Sequence, residues 1–164
     1  MIEMRPGRSP WLGQFVTNPT ARKFGFPNTL VAETEYWWVL ARPQQPTYGA
    51  LVLVCKEEAK AFSELTSAAF ADMKRAVDGI EALLRHTVAY ERINYLMLMM
   101  VDPHVHFHVI PRYSEARQWD GIAFPDAGWP GPPRLDRAVK LDKRQLQTLV
   151  SEIADAFRCR RAAS

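Results

Sequence analysis

Cysteine is scarce in this chain: its two residues, Cys55 and Cys159, lie far apart and form no CxxC pair. A disulfide framework and a zinc knuckle are thereby excluded, and both side chains read as free thiols in a reducing compartment. No apolar run reaches the ~18 residues that would mark a membrane span. The opening stretch, MIEMRPGRSPWLGQF, places arginines, a glutamate and prolines where a secretory signal needs an unbroken apolar segment. The expectation is a cytoplasmic protein with no membrane partner. Charge of one sign is also in short supply. A net charge of +3 and a pI near 9.0 suit a phosphate-bearing ligand but fall short of the concentrated basic surface that binds a nucleic-acid polymer. Internal repeats and low-complexity tracts are absent too. What is present, 164 residues of which 48% are hydrophobic, suffices for one domain with a real core.

Residues 1–28 are rich in proline, glycine and asparagine and predict an irregular arm. Two apolar runs follow, Tyr36 to Leu40 and Ala50 to Val54, separated by a stretch broken by Pro43, Pro46 and Gly49. They predict strand, loop, strand. Phe70, Met73, Val77, Ile80, Leu83 and Leu84 recur at three- and four-residue steps and predict an amphipathic helix from Ser67 to Arg85. A second helix is predicted from Asp142, which can cap while Gln145 closes the box. Ile93–Val101 and Val105–Ile110 predict two more strands, joined as a hairpin by a tight turn at Asp102-Pro103. Tyr113 to Lys140 predicts a long loop carrying Trp119, Phe124 and Trp129. The fold expected is α+β, a mainly antiparallel sheet of about five strands with one long helix and a C-terminal helix.

Three of the four histidines stand at His104, His106 and His108. On a strand they point one way, while Val105, Phe107 and Val109 point the other, towards the core. Packing alone explains such a set poorly, because every buried imidazole needs a hydrogen-bond partner. A metal tripod is one chemical reading. Neighbouring same-face residues lie ~6.6 Å apart and the outer pair ~13 Å, so one ion takes two histidines comfortably and the third only with strain. Covalent catalysis is another. Neutral imidazole is a good nucleophile near pH 7, and His106, flanked on both sides, is its natural seat. The sequence calls for no cofactor.

The segment His104-Val105-His106-Phe107-His108-Val109-Ile110-Pro111-Arg112 resembles the motif of the histidine-triad superfamily. The likeness continues upstream through Tyr36 to Leu65, including Phe62-Ser63-Glu64-Leu65 before the long helix. The resemblance covers roughly residues 29–113, which would form the histidine-triad core, with 114–164 packed on the same domain. It implies an α+β homodimer that hydrolyses or transfers nucleotidyl groups through a nucleotidyl-histidine intermediate. His106 would be the nucleophile, with His104 and His108 orienting it and steadying the phosphate. The implied substrates are dinucleoside polyphosphates or nucleoside phosphoramidates, from the branch related to diadenosine polyphosphate hydrolases. The competing readings are a nucleotide-binding or scaffold protein with weak turnover, and a metal-binding protein using two of the histidines.

The chain departs from the family pattern at three places. Ala50 replaces a fourth histidine, Arg42 replaces the Asp or Asn that binds ribose hydroxyls, and Asp102-Pro103 replaces a Gly-Gln segment. A guanidinium has five donors and no acceptor, so Arg42 reads either as suiting an anion better than a sugar or, beside Pro43, as a charge that points to solvent. Arg112 reads either as a phosphate ligand or as a solvated charge at the strand end. Trp129 reads as a base-stacking residue or as ordinary packing. His86 reads as a capping or surface residue at the end of the first helix. The apolar strands Tyr36–Leu40 and Ile93–Val101 would be hazardous as exposed edges, which also argues for a homodimer.

Overall fold

Trp37–Ala41 (β2) and Leu51–Cys55 (β4) are buried at every position, although successive side chains on a strand face opposite ways. Both faces of these strands must therefore be covered, and in the computed structural model, which describes residues 18–162, both are. With Leu30–Glu33 (β1), Arg92–Leu96 (β5) and His106–Arg112 (β6) they form a five-stranded sheet ordered β1-β2-β4-β6-β5. Every pairing is antiparallel. The α+β fold expected from the sequence is the fold observed.

One face, bearing Trp37, Val39, Leu51, Leu53, Val105 and Val109, packs against two helices. Ser67–Thr87 (α2) contributes Ile80, Leu83 and Leu84, and Lys143–Ala162 (α3) contributes Leu149, Ile153 and Phe157. Each helix starts where a side chain takes up an orphan N–H. The Ala69 N–H donates to Thr66 Oγ1 (3.2 Å), and the predicted box closes with Gln145 N–H to Asp142 Oδ1 (2.7 Å) and Asp142 N–H to Gln145 Oε1 (3.0 Å).

The other face, bearing Trp38, Leu40, Val52 and Val54, is covered by Ala21, Phe24 and Phe26. These residues belong to the stretch expected to be irregular. Residues 1–17 of that stretch lie outside the described residues, but Pro19–Lys23 is a short helix (α1), started by Asn18, whose Oδ1 accepts from the Ala21 N–H (2.9 Å).

Three further expectations are corrected. Tyr36–Leu40 is no edge, because the unforeseen β1 pairs with β2. The strand from Ile93 ends at Leu96 instead of Val101: Met99 adopts φ 49°, and Met97–Val101 swings off the sheet, so a long connection rather than a tight turn at Asp102-Pro103 joins β5 to β6. The segment after Tyr113 is structured. Arg117–Trp119 (β7) and Ile122–Phe124 (β8) form a hairpin about Asp120-Gly121, both at positive φ (48° and 73°), as a two-residue turn of this kind requires. Val139–Lys140 (β9) pairs with Gln44–Gln45 (β3). No helix among the described residues is long and apolar enough to cross a membrane.

Candidate active site

Of the three motif histidines, β6 carries His106 and His108, opposite Val54 and Val52 of β4, and so places both on the face covered by α1. Their ring centroids are 5.2 Å apart, and Phe24 packs against both, at 5.7 Å from His106 and 5.5 Å from His108. His104 stands before the strand begins, so strict alternation does not extend to it. Its ring Nδ1 lies 3.4 Å from Thr20 Oγ1. Its backbone carbonyl meets the next motif histidine: His106 Nδ1 lies 2.7 Å from His104 O. A carbonyl only accepts, so Nδ1 must carry the proton, and in the neutral ring Nε2 keeps its lone pair.

A cavity of about 370 Å³ is lined by His106 and His108, by Lys23 and Phe24, by Arg42, Pro43 and Gln44, and by Leu98 to Asp102. The apolar run expected to be strand is its outer wall: Leu98 is 50%, Met100 88% and Val101 80% exposed. Lys23 Nζ pairs with Asp102, at 2.9 Å from Oδ1 and 3.1 Å from Oδ2, and ties α1 to this wall.

Burial sets the electrostatics. His108 is pushed down to about 4, first by burial and then by the charge of Arg42, so it is neutral at pH 7. Burial also lowers His104. Arg42 is held in place by its loop. Its Nη1 donates to Gln44 O (2.5 Å), and the fully buried Gln45 side chain donates to Arg42 O (2.6 Å) and Ala50 O (2.9 Å) while accepting from the Gly49 and Ala50 N–H groups. Gly49 itself adopts φ +83°, and a Cβ there would meet Val88 Cγ2 at 2.6 Å. Loop and helix α2 touch because this residue has no side chain.

The other sequence candidates lie elsewhere. Arg112 is neither a pocket residue nor a solvated charge. It is buried, with Nε 2.6 Å from Asp126 Oδ2, Nη1 2.8 Å from Asn94 Oδ1 and Nη2 2.9 Å from Gly131 O. Trp129 belongs to the loop that Arg112 anchors and does not line the cavity. Trp119 stacks on Tyr48 (centroids 6.2 Å), and Phe124 is buried. His86 is exposed in the last turn of α2. Among the described residues no three His, Cys, Asp or Glu side chains group so as to hold a metal ion.

Thr20, Lys23 and Phe24 went unnoticed in the sequence. A signal was there: Asn18-Pro19 is a helix start, asparagine at the cap and proline at the first turn.

Known structures share this architecture. A histidine triad protein of Sinorhizobium meliloti 1021 superposes with a TM-score of 0.64 at 21% identity, over 84% of this chain and 93% of that one. Diadenosine triphosphate hydrolase of Plasmodium falciparum gives 0.58 at 12% identity, over 80% and 78%. The NitFhit protein of C. elegans gives 0.58 at 18%, over 79% of this chain, which spans 27% of that longer one. No curated protein matches the chain. The HIT domain model matches residues 24–115, more than half of the sequence and the whole of the sheet. The chain belongs to the HIT, or histidine-triad, family.

Proposed function

We propose that the protein is a nucleotide hydrolase or nucleotidyl transferase in which His106 Nε2 attacks phosphorus. The observation that carries this reading is the 2.7 Å contact between His106 Nδ1 and the His104 carbonyl, which leaves Nε2 as the lone-pair nitrogen of a histidine that lines the cavity. As the Nε2–P bond forms, the leaving group departs with the electron pair of its own bond to phosphorus. Positive charge develops on the ring, and the carbonyl that accepts from Nδ1–H stabilises it. Water then bonds to phosphorus, the N–P electron pair returns to Nε2, and a water proton passes to solvent. Replacing that water with a second acceptor makes the same intermediate a transferase. His108, neutral at pH 7, offers one N–H to a phosphate oxygen without repelling an incoming nucleophile.

The substrate class proposed is a dinucleoside polyphosphate or nucleoside phosphoramidate. Incubating the protein with diadenosine polyphosphate and adenosine phosphoramidate and recording intact mass tests it. A nucleotidyl adduct that is lost in His106→Gly is the expected result; tight ligand binding with neither adduct nor turnover would make the protein a binder instead.

A homodimer is proposed as the working unit. β5 is an edge strand, half-buried along most of its length, and the exposed Leu98, Met100 and Val101 continue from it. Sedimentation at micromolar concentration should give twice 18.7 kDa; a lone 18.7 kDa species would remove the idea.

A further inference from the structure

We infer that Arg42 is a second anion site in the same cavity, so that the preferred ligand carries two separate anionic groups, one at His106 and one at Arg42. The inference rests on reading the cavity as a phosphate site. Two arginines of the molecule show the contrast from which it follows. Arg112, buried at the far end of β6, is satisfied on all sides by Asp126, Asn94 and the Gly131 carbonyl. Arg42 is half-buried, yet it has no carboxylate partner among the described residues, and its Nε is buried without a hydrogen bond.

The cavity cannot supply the missing charge. Asp102 is the one carboxylate in its lining, and both its oxygens face Lys23. One guanidinium is therefore left uncompensated in a half-buried position, a costly state that a bound anion offsets. Its fork is also pre-set. The Gln44 carbonyl holds one nitrogen and the Gln45 amide clamps the loop, so less freedom is lost when phosphate or carboxylate docks. His106 and Arg42 line the same cavity but stand on different elements, β6 and the loop after β2. A ligand with a second phosphate can engage both elements at once.

Calorimetric binding of adenosine 5′-monophosphate, adenosine 2′,5′-bisphosphate and adenosine 3′,5′-bisphosphate to the full chain tests this. None carries an anhydride or phosphoramidate bond, so affinity is read whether or not His106 turns over. At least one bisphosphate should bind tenfold or more tightly than the monophosphate. Arg42→Gln should bring that ratio close to one, and Arg42→Lys, which keeps the charge but not the fork, should retain part of it. Equal affinities in the wild type, a preference that survives Arg42→Gln, or binding of none of the three would overturn the inference. Adduct formation at His106 without any bisphosphate preference sinks this inference alone. A preference abolished by Arg42→Gln without an adduct keeps the anion site and sinks the nucleophile.

Discussion

The two faces of the sheet are built from alternate residues of the same strands, yet they do different work. The helix face buries Trp37, Leu51, Leu53, Val105 and Val109 beneath two helices of 21 and 20 residues. The histidine face is covered by a five-residue helix and two phenylalanines, and a cavity lies against its buried His106 and His108. Most of the core lies on one side and the candidate site on the other. The period of two in a strand makes this division possible, since neighbours in sequence never compete for the same environment.

The comparison is broken most severely at His106. His106→Gly should lower kcat by about a thousandfold or more, because no other group replaces an Nε2 nucleophile, and its circular dichroism should stay that of a folded protein. Wild-type kcat in this variant would end the assignment. Leu83→Ala, on the helix face, should do the reverse. It should cost about 2–5 kcal/mol of stability in urea denaturation through lost burial and a cavity, with kcat per folded molecule unchanged. A thousandfold fall in kcat there would show that the faces are not separable.

Acid sharpens the contrast. His108 is held neutral by burial, with a folded value of about 4 against an ordinary value near 6.5. The unfolded chain therefore takes up this proton first, and the contribution is fully present above about pH 6.5 and lost as pH falls towards 4. Denaturant midpoints at pH 7 and pH 5 should differ less in His108→Gln than in the wild type; parallel falls would mean that His108 is not responsible. The smallest effect expected is that of Thr20→Val. Removing its contact with His104 should cost about 1 kcal/mol, read as a lower denaturation midpoint, and an unchanged midpoint would show that the 3.4 Å contact contributes nothing.

Much of this arrangement is legible in the sequence. The 3.6-residue spacing of Phe70 to Leu84 and the Asp142/Gln145 box follow from local rules and formed as read, whereas the strand read as Val105–Ile110 runs from His106 to Arg112 and leaves His104 outside its alternation. What was not legible depends on tertiary partners. Met97–Val101 is as apolar as a strand, but Leu98 to Val101 wall a cavity, and Met97 and Met99 only border the core. β1 is four residues long and exists because β2 needs a neighbour. Arg112 carries the same charge in sequence whether it meets phosphate, water or Asp126. The Asp120-Gly121 hairpin could have been read, since that dipeptide is a strong turn signal. Unbroken apolarity in Trp37–Ala41 and Leu51–Cys55, rather than alternation, also announces a sheet covered on both sides.

The ties between α1 and the histidine segment join residues far apart along the chain: Thr20 to His104 spans 84 positions, and Lys23 to Asp102 spans 79. Closing loops of that length is slow and entropically expensive, so the cavity is completed only after the strands between have found their register. Ala21 and Phe24 also pack on the sheet and Asn18 Nδ2 donates to the Cys55 carbonyl (3.3 Å), so α1 opens as a local unit rather than contact by contact. A fluctuation that releases α1 would expose both histidines to water while the sheet and its two helices stay intact, so the candidate site can come apart before the fold does.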